Sequence, residues 1–177
     1  SEAEYIMFCD QDDIWEKDKV SSAYKHMEHI QKKYNEKTPI LCHSDLKVTD
    51  SKLNIINDSM FDMQKMNRRK KKFRDYLVQN NVTGCTVIMN RALAQLCKEM
   101  PDEAIMHDWW YALIAAAFGK VCYMGEGHIL YRQHGNNTEG AKNLKSPVYL
   151  LKKLFDRKEV KRTLGLTYRQ AEAFRNQ

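Results

Sequence analysis

The chain has 177 residues, of which 43% are hydrophobic, with seven glycines, three prolines and a net charge of +6. This length and composition are typical of one folded domain with a substantial core, and they exclude an intrinsically disordered chain. No apolar run approaches the length of a transmembrane helix, so we expect no membrane-spanning segment.

The residue pattern predicts β-strands that alternate with α-helices. The predicted strands cover residues 5–9, 40–45, 85–89, 120–124 and 128–133, with a hairpin or irregular segment over 47–57. The predicted helices cover residues 14–34, 91–98 and 108–118, with helical pieces over 59–79. This alternation favours an α/β fold with a mixed, mostly parallel sheet flanked by helices.

The five cysteines are scattered along the chain without a C-x-x-C pair: Cys9, Cys42, Cys85, Cys97 and Cys122. Four of them lie in apolar, strand-like runs, and Cys97 lies in a predicted helix. An odd number of scattered, buried thiols is typical of a reducing compartment. We therefore expect a cytoplasmic protein, located at the inner face of the cell membrane if its basic tail binds lipid.

The first predicted strand ends in three carboxylates: Asp10, Asp12 and Asp13. In open α/β sheets, ligands bind beyond the carboxyl ends of the strands. Mg²⁺ and Mn²⁺ prefer oxygen ligands and keep open positions for phosphate oxygens, so these carboxylates are candidates for a metal site. The alternative is that Asp12 or Asp13 caps the following helix, which explains one or two of the three.

A fourth candidate carboxylate, Asp108, stands at the start of the predicted helix over 108–118. Asp108 can act as a general base if a substrate hydroxyl reaches it and the helix dipole does not depress its pKa too far. An N-cap role explains this residue about as well. The adjacent Trp109 and Trp110 can form a platform for a sugar ring, or they can belong to the core.

Two turns carry further candidate residues. His134 ends the last predicted strand and can supply a nitrogen ligand, which would favour Mn²⁺ over Mg²⁺. Arg132 can clamp a diphosphate with its planar guanidinium group. Gly84 follows Asn80-Asn81-Val82-Thr83 and lets the backbone approach a ligand closely.

Five short motifs, taken in this order and with these gaps, resemble the family 2 glycosyltransferases of bacterial cell-surface polysaccharide synthesis, in particular their rhamnosyltransferase-like branch. The motifs are Asp10-Gln11-Asp12-Asp13-Ile14-Trp15, His43-Ser44-Asp45, Thr83-Gly84-Cys85-Thr86, His107-Asp108-Trp109-Trp110 and Tyr131-Arg132-Gln133-His134-Gly135-Asn136-Asn137. The resemblance covers roughly residues 5–138. Each motif alone is weak, and the specificity comes from finding five in order.

The resemblance implies a partial GT-A fold and a metal-dependent, inverting transfer of rhamnose or a hexose from a nucleotide-diphosphate donor. Asp108 would correspond to the catalytic base, and His134 would complete the metal or diphosphate site. The D-x-D pair that holds Mn²⁺ or Mg²⁺ would be Asp10 and Asp12. The other implied site residues are Asp13 and Arg132 on the donor side and Gly84, Trp109 and Trp110 on the acceptor side.

The chain departs from the family pattern at its beginning, because the strand and turns that hold the nucleotide base and ribose do not occur in it. We therefore expect residues 1–140 to form the catalytic and acceptor part of a longer enzyme, inactive in isolation. The resemblance implies either dTDP-rhamnose or a UDP-sugar as the donor. The expected acceptor is a polysaccharide or a lipid-linked sugar.

Positive charge is concentrated in a run from Arg68 to Arg74. Such a run is either solvated surface or, as the alternative function, part of a nucleic-acid-binding module. The sequence lacks the interleaved aromatic residues and the helix-turn-helix signal of such modules, so we do not expect nucleic acid as the partner. A different phosphoryl-transfer enzyme ranks third, because the chain has no P-loop.

The tail over 141–177 forms a second basic region and predicts an amphipathic helix. Its apolar stripe consists of Val148, Leu151, Leu154 and Phe155. This helix either docks on the domain with its lysines in water, which we favour, or lies on an anionic membrane surface as a peripheral contact.

Overall fold

The computed structural model describes residues 3–68, 71–125, 127–133 and 157–176. The strands are β1 (Tyr5–Met7), β2 (Ile14–Trp15), β3 (Ile40–His43), β4 (Lys47–Thr49), β5 (Ile55–Asn57), β6 (Ile88–Asn90), β7 (Lys120–Tyr123) and β8 (Ile129–Arg132). The helices are α1 (Lys19–Gln31), α2 (Met60–Met63), α3 (Phe73–Tyr76), α4 (Arg91–Leu96), α5 (His107–Phe118) and α6 (Arg157–Arg175). A 3₁₀ turn spans Gly84–Thr86.

The described strands form two four-stranded sheets, one in the order β1-β6-β3-β7 and the other in the order β2-β8-β4-β5. The predicted α/β class is confirmed. The predicted mostly parallel sheet is wrong, because the β3–β7 and β4–β8 pairs are parallel while the four other described pairs are antiparallel. The physical reason is that β6 inserts between β1 and β3 and runs against both, and that β4 and β5 form a hairpin.

The first sheet forms the middle of a three-layer core. Leu41 of β3 belongs to the same buried cluster as Trp110 and Leu113 of α5. Its neighbours Ile40 and Cys42 belong to the opposite cluster, with Ala23 and Met27 of α1. Successive side chains of a strand point to opposite faces, so one fully buried strand supports a helix on each side.

The helix predicted from residue 14 begins instead at Lys19, because Ile14 and Trp15 form a short strand that pairs with Leu130 and Ile129 of β8. Along α1, Ala23 and Met27 are buried, whereas Val20 of the predicted apolar stripe is exposed. The later start of α1 matters for the site. Because Ile14 and Trp15 form β2, residues 8–13 are a loop that connects β1 of one sheet to β2 of the other.

The C-terminal helix α6 docks on the first layer through its last turns. The Phe174 ring lies 5.0 Å from Phe73, 6.2 Å from Trp110 and 5.9 Å from Phe118, measured between centroids. The predicted docking of the tail was assigned to an apolar stripe further upstream, so it stays a prediction. The predicted stripe of Val148, Leu151, Leu154 and Phe155 lies outside the described residues. In the part of the chain that is described, no helix is long and apolar enough to cross a membrane.

His43, the last residue of β3, is a buried titratable group with a clear consequence for stability. Its side chain is 1% exposed and packs beside the rings of Phe61 and Tyr123, whose centroids lie 6.1 and 5.5 Å away. Burial lowers the pKa of His43 to about 4. The folded chain therefore binds fewer protons than the unfolded chain between pH 6.5 and 4, and stability falls as the pH falls through this window.

We expect the substitution His43→Phe to remove this pH dependence while keeping the aromatic packing. Between pH 7.5 and 5, the wild type should lose about 2 kcal/mol more unfolding free energy than the variant. Urea denaturation at the two pH values measures the difference. The control is His29→Phe at an exposed position of α1, which should keep the wild-type pH dependence. An equal loss in the wild type and His43→Phe would show that His43 is not the responsible group.

Candidate functional site

The candidate residues lie at one edge of the first sheet. Strands β1, β3 and β7 run in the same direction, so their carboxyl ends share an edge with the beginning of the antiparallel strand β6. Met7 pairs with Ile88, and therefore the residues after β1 lie opposite the turn before β6. This register brings the loop that carries Asp10 next to the Gly84–Thr86 turn.

Asp10, Asp13 and Cys85 form a group in which the potential ligand atoms all lie within 4.8 Å of one another. Asp13 Oδ1 accepts a hydrogen bond from the Arg132 backbone N–H at 3.3 Å. Asp13 Oδ2 is shielded from solvent and accepts no hydrogen bond in the described residues. Burial raises the pKa of Asp13 to about 6, and the nearby Asp10 and Asp12 carboxylates add to the rise. A bound cation would satisfy this orphaned oxygen and favour the charged carboxylate.

The group differs in composition from the predicted metal ligands. Asp10 belongs to it, but Asp12 does not, and Asp13 and Cys85 take part instead. The predicted nitrogen ligand, His134, lies outside the described residues. The Cys85 thiol was predicted only as a buried core residue, and no sequence signal distinguished it from the other apolar-run cysteines. The carboxylates suit Mn²⁺ and Mg²⁺ alike, whereas a Cys85 thiolate would favour a softer ion such as Zn²⁺. Burial and the nearby Asp13 and Asp10 carboxylates raise the pKa of the Cys85 thiol, so the carboxylates are the main candidate ligands.

Asp108 does not cap α5, because the helix begins at His107 and its N-cap residue is Met106. Its side chain instead reaches across to the neighbouring loop. Oδ2 accepts a hydrogen bond from the Gly84 backbone N–H at 2.9 Å, and Oδ1 accepts one from Asn80 Nδ2 at 3.0 Å. Burial raises the pKa of Asp108, while the neighbouring His107 and the hydrogen bonds to the carboxylate oppose the rise.

The Gly84–Thr86 turn connects the two sets of acidic groups. Gly84 donates its backbone N–H to Asp108, and the next residue, Cys85, lies in the group with Asp10 and Asp13. A Cβ atom on Gly84 would lie 2.8 Å from His107 Nε2 and 3.6 Å from Asp108 Oδ2. A residue without a side chain is thus what allows α5 to approach this turn so closely.

The two tryptophans after Asp108 have different surroundings. Trp109 is half-buried, and its Nε1 donates a hydrogen bond to the Tyr76 carbonyl oxygen at 2.6 Å. Trp110 is completely buried in the core cluster of α5. Trp110 is therefore a core residue, which was the alternative prediction, and it has no exposed face for a sugar ring. Of the two predicted acceptor tryptophans, only Trp109 can contact a sugar.

The predicted clamp residue Arg132 is half-buried at the end of β8, with its backbone N–H on Asp13. Arg68, the first residue of the basic run, pairs with Asp62 at 2.8 Å and with the buried Asp45 at 3.4 Å. This residue is therefore part of the fold's own ion-pair network, which weakens the reading of the run as a nucleic-acid surface.

The burial of Lys19 near the site is not predicted by the sequence pattern. Its side chain is 2% exposed, and burial lowers its pKa, while the Cys85 thiol opposes that effect. The Nζ atom lies 5.6 Å from the centre of the Trp15 ring and has no hydrogen-bond partner in the described residues. Nothing in the sequence indicated this burial, since lysine at the start of an amphipathic helix is ordinarily exposed.

Comparison with known proteins identifies a relative of this chain. The chain is similar to a dTDP-rhamnosyl transferase, RfbG, of Shigella flexneri, with 28% identity over 149 residues. The match covers 78% of this chain and 46% of the relative, so the chain spans about half the relative's length. No family model and no solved structure matches the chain. This similarity indicates that the chain has a glycosyltransferase-like relative.

We expect Gly84→Ala to destabilise the protein, because the new methyl group meets His107 Nε2 at 2.8 Å. The His107 ring packs against Phe8 and Tyr111 and cannot easily move away. Overpacking of this kind costs about 1–3 kcal/mol. Thermal or urea denaturation measures the loss.

The matched control is Gly165→Ala within α6, where a new Cβ meets no atom within 4 Å. An alanine in a helix interior should stabilise the chain slightly relative to glycine. Equal stabilities of the two variants would contradict the close approach at Gly84.

Proposed function

We propose that the chain is the acceptor-activating and cation-binding part of a glycosyltransferase that uses a nucleotide-diphosphate sugar. The observation that carries the proposal is the Gly84–Thr86 turn, which contacts Asp108 through one residue and the Asp10–Asp13–Cys85 group through the next. A general base and a cation site on one turn are what a displacement at a sugar–diphosphate bond needs. The similarity to a dTDP-rhamnosyl transferase supports the same reaction class.

In the proposed reaction, Asp108 accepts the proton of the acceptor hydroxyl. As that proton leaves, the acceptor oxygen forms a bond to the anomeric carbon of the donor sugar, and the bond from that carbon to the diphosphate oxygen breaks. One such displacement inverts the anomeric centre, as in inverting glycosidases. The raised pKa of Asp108 suits a general base, since a more basic carboxylate removes a proton more readily. The carboxylate accepts hydrogen bonds from Asn80 Nδ2 and from the Gly84 and Trp109 backbone N–H groups. A carboxylate has about four lone-pair sites, so one remains for the incoming proton.

The residues at the edge of the sheet fit a divalent cation, because Asp13 Oδ2 is shielded and has no hydrogen-bond partner in the described part of the chain. Asp10, Asp13 and Cys85 would hold the ion, and Asp12 remains a proposed contact to it or to the donor. A bound cation would neutralise the negative charge that develops on the departing nucleoside diphosphate. Arg132, adjacent to Asp13, is the proposed contact to the diphosphate itself.

The donor and acceptor follow from the relative and from the family resemblance. A dTDP-sugar is the first candidate donor because the similar protein is named as a dTDP-rhamnosyl transferase. A UDP-hexose is the second. The proposed acceptor is a hydroxyl group of a saccharide, either free or lipid-linked, that lies against Asp108 and Trp109.

The two carboxylate roles predict separable effects of two substitutions. Asp108→Asn should lower the release of dTDP from dTDP-rhamnose about 10²- to 10⁴-fold, the usual contribution of a general base, with Mn²⁺ affinity unchanged. Asp13→Asn should weaken Mn²⁺ binding by about tenfold or more, because it removes a charged ligand oxygen. Calorimetry of this chain with Mn²⁺ measures the cation affinity. A coupled assay of dTDP release by the whole enzyme that contains this chain, with a saccharide acceptor added, measures the rate.

The control for both is Asp102→Asn, the same chemical change at an exposed position. Wild-type turnover by Asp108→Asn would rule out its role as the base. Mn²⁺ binding that survives in Asp13→Asn and in Asp10→Asn would rule out the cation site. Failure of the whole enzyme that contains this chain to release nucleotide from dTDP- and UDP-sugars would contradict the transferase proposal itself.

The hydrogen bond from Asn80 predicts a shift in the pH–rate profile. Asn80 Nδ2 stabilises the charged form of Asp108, so Asn80→Ala should raise the pKa of that carboxyl further. The base works only when deprotonated, and the rate falls as the pH drops through its pKa. The acid limb should therefore move to higher pH in the variant.

Asn54→Ala is the matched control, since Asn54 Nδ2 donates to Asp50 in an exposed hairpin at 2.9 Å. Its acid limb should coincide with that of the wild type. If the acid limb does not move in Asn80→Ala, Asp108 is not the group whose protonation lowers the rate at low pH.

A further inference from the structure

Helix α6 leaves the domain along part of its length. Its second half is anchored, because Thr167 and Gln170 are buried and Gln170 Oε1 accepts a hydrogen bond from the Ile105 backbone N–H at 2.9 Å. The described side chains of its first half show no such anchor, since Lys158 and every residue from Val160 to Gly165 are exposed. The helix has 19 residues. At 1.5 Å per residue it is about 29 Å long, and its first turns lie exposed on the surface of the domain.

An apolar stripe runs along the exposed surface of this helix. Val160, Leu164 and Tyr168 follow one another at four-residue spacing and thus share one face. Their exposed fractions are 47%, 58% and 64%. The stripe continues into an apolar groove of about 570 Å³ between α6 and Leu77, lined also by Ala171. A contiguous exposed apolar strip with a polar border usually marks an interaction surface.

Basic side chains border this stripe. On the helical wheel, Lys158, Lys161, Arg162 and Arg169 occupy the sector next to Val160, Leu164 and Tyr168, away from the docked face with Gln170 and Phe174, and all four are exposed. The helix sequence as a whole contains six basic and two acidic residues, a net charge of +4. Of the acidic residues, Glu172 hydrogen-bonds the Tyr168 hydroxyl.

We propose that α6 is a membrane-surface helix that lays its Val160–Leu164–Tyr168 stripe into an anionic lipid bilayer. Apolar side chains with a flanking lysine and arginine sector are the arrangement by which amphipathic helices bind the interface of such a bilayer. The basic sector contacts lipid phosphates while the stripe enters the boundary between headgroups and acyl chains. Tyrosine suits this position, because it has an apolar ring and a polar hydroxyl group.

Charge decides between the bilayer and a second copy of this chain as the occupant. Two α6 helices that met through their stripes would bring two strongly basic sectors together, and like charges at an interface oppose association. An anionic bilayer instead provides the complementary charge, worth about 1 kcal/mol for each lysine or arginine near the surface. This inference does not depend on the transferase proposal, since none of its residues belongs to the carboxylate site.

The test is sedimentation of the chain with vesicles of phosphatidylglycerol and phosphatidylcholine, compared with vesicles of phosphatidylcholine alone. The wild type should bind the anionic vesicles and lose binding as the salt concentration rises. Lys158→Gln with Lys161→Gln should weaken binding roughly thirtyfold, from about 1 kcal/mol for each charge. Leu164→Gln with Tyr168→Gln should also abolish most of the binding, although both side chains are exposed and the fold should be retained.

The matched control is Lys25→Gln with Lys32→Gln, which removes two exposed lysines from the region of α1 and should bind like the wild type. Circular dichroism verifies that each variant is folded. Three results would overturn the proposal: no binding of the wild type to anionic vesicles, equal weakening by the α1 control, or a dimer in sedimentation velocity that Leu164→Gln with Tyr168→Gln dissociates. Mn²⁺ titration of the same variants keeps the outcome separate from the carboxylate site.

Discussion

The close approach of helix α5 to the turn before β6 determines how the rest of the site is arranged. The Gly84 backbone N–H reaches Asp108 Oδ2 at 2.9 Å, and the space where a side chain would begin is occupied by the His107 ring. His107 is in turn held by the ring of Phe8, which follows β1. The turn, the helix start and the loop after β1 are therefore packed against one another. Movement of any one of them would displace both Asp108 and the acidic loop.

This contact explains why an antiparallel strand matters to the site. Because β6 runs against β1, the residues that precede β6 lie beside the residues that follow β1. A parallel strand at this place would put its carboxyl end there and would bring a different loop to the acidic residues. The direction of β6 thus brings Cys85 to Asp10 and Asp13, and it gives Gly84 its position beside Asp108.

Local pattern was sufficient to predict most of the elements, and tertiary contacts decided the rest. The continuous apolar run of β3 and the helix that ends before Gly119 were predictable, because burial and helix termination leave marks in the sequence. The direction of β6 was not predictable, because pairing partners are distant in sequence. The start of α1 was missed for the same reason, since Ile14 and Trp15 pair with a strand more than 100 residues later. At the site, Asp10 and Asp108 were predicted from motifs, whereas the roles of Asn80, Lys19 and Cys85 depend on contacts that only the fold creates.

Three shielded carboxylates at this edge of the sheet differ in how their charge is satisfied. Asp45 is enclosed by its own fold, with Arg68 and Ser59 on one oxygen and the backbone N–H groups of Leu46 and Phe61 on the other. Asp108 has hydrogen-bond donors on both oxygens. Asp13 is hydrogen-bonded by the Arg132 backbone N–H and by the Cys85 thiol, and it forms no salt bridge within the described residues. A shielded charge without a counter-charge lowers the stability of the fold. The presence of such a group is therefore better explained by a role in ligand binding than by a role in stability. Asp45 therefore stabilises the fold. Asp13 instead lacks a counter-charge, which a bound cation would supply.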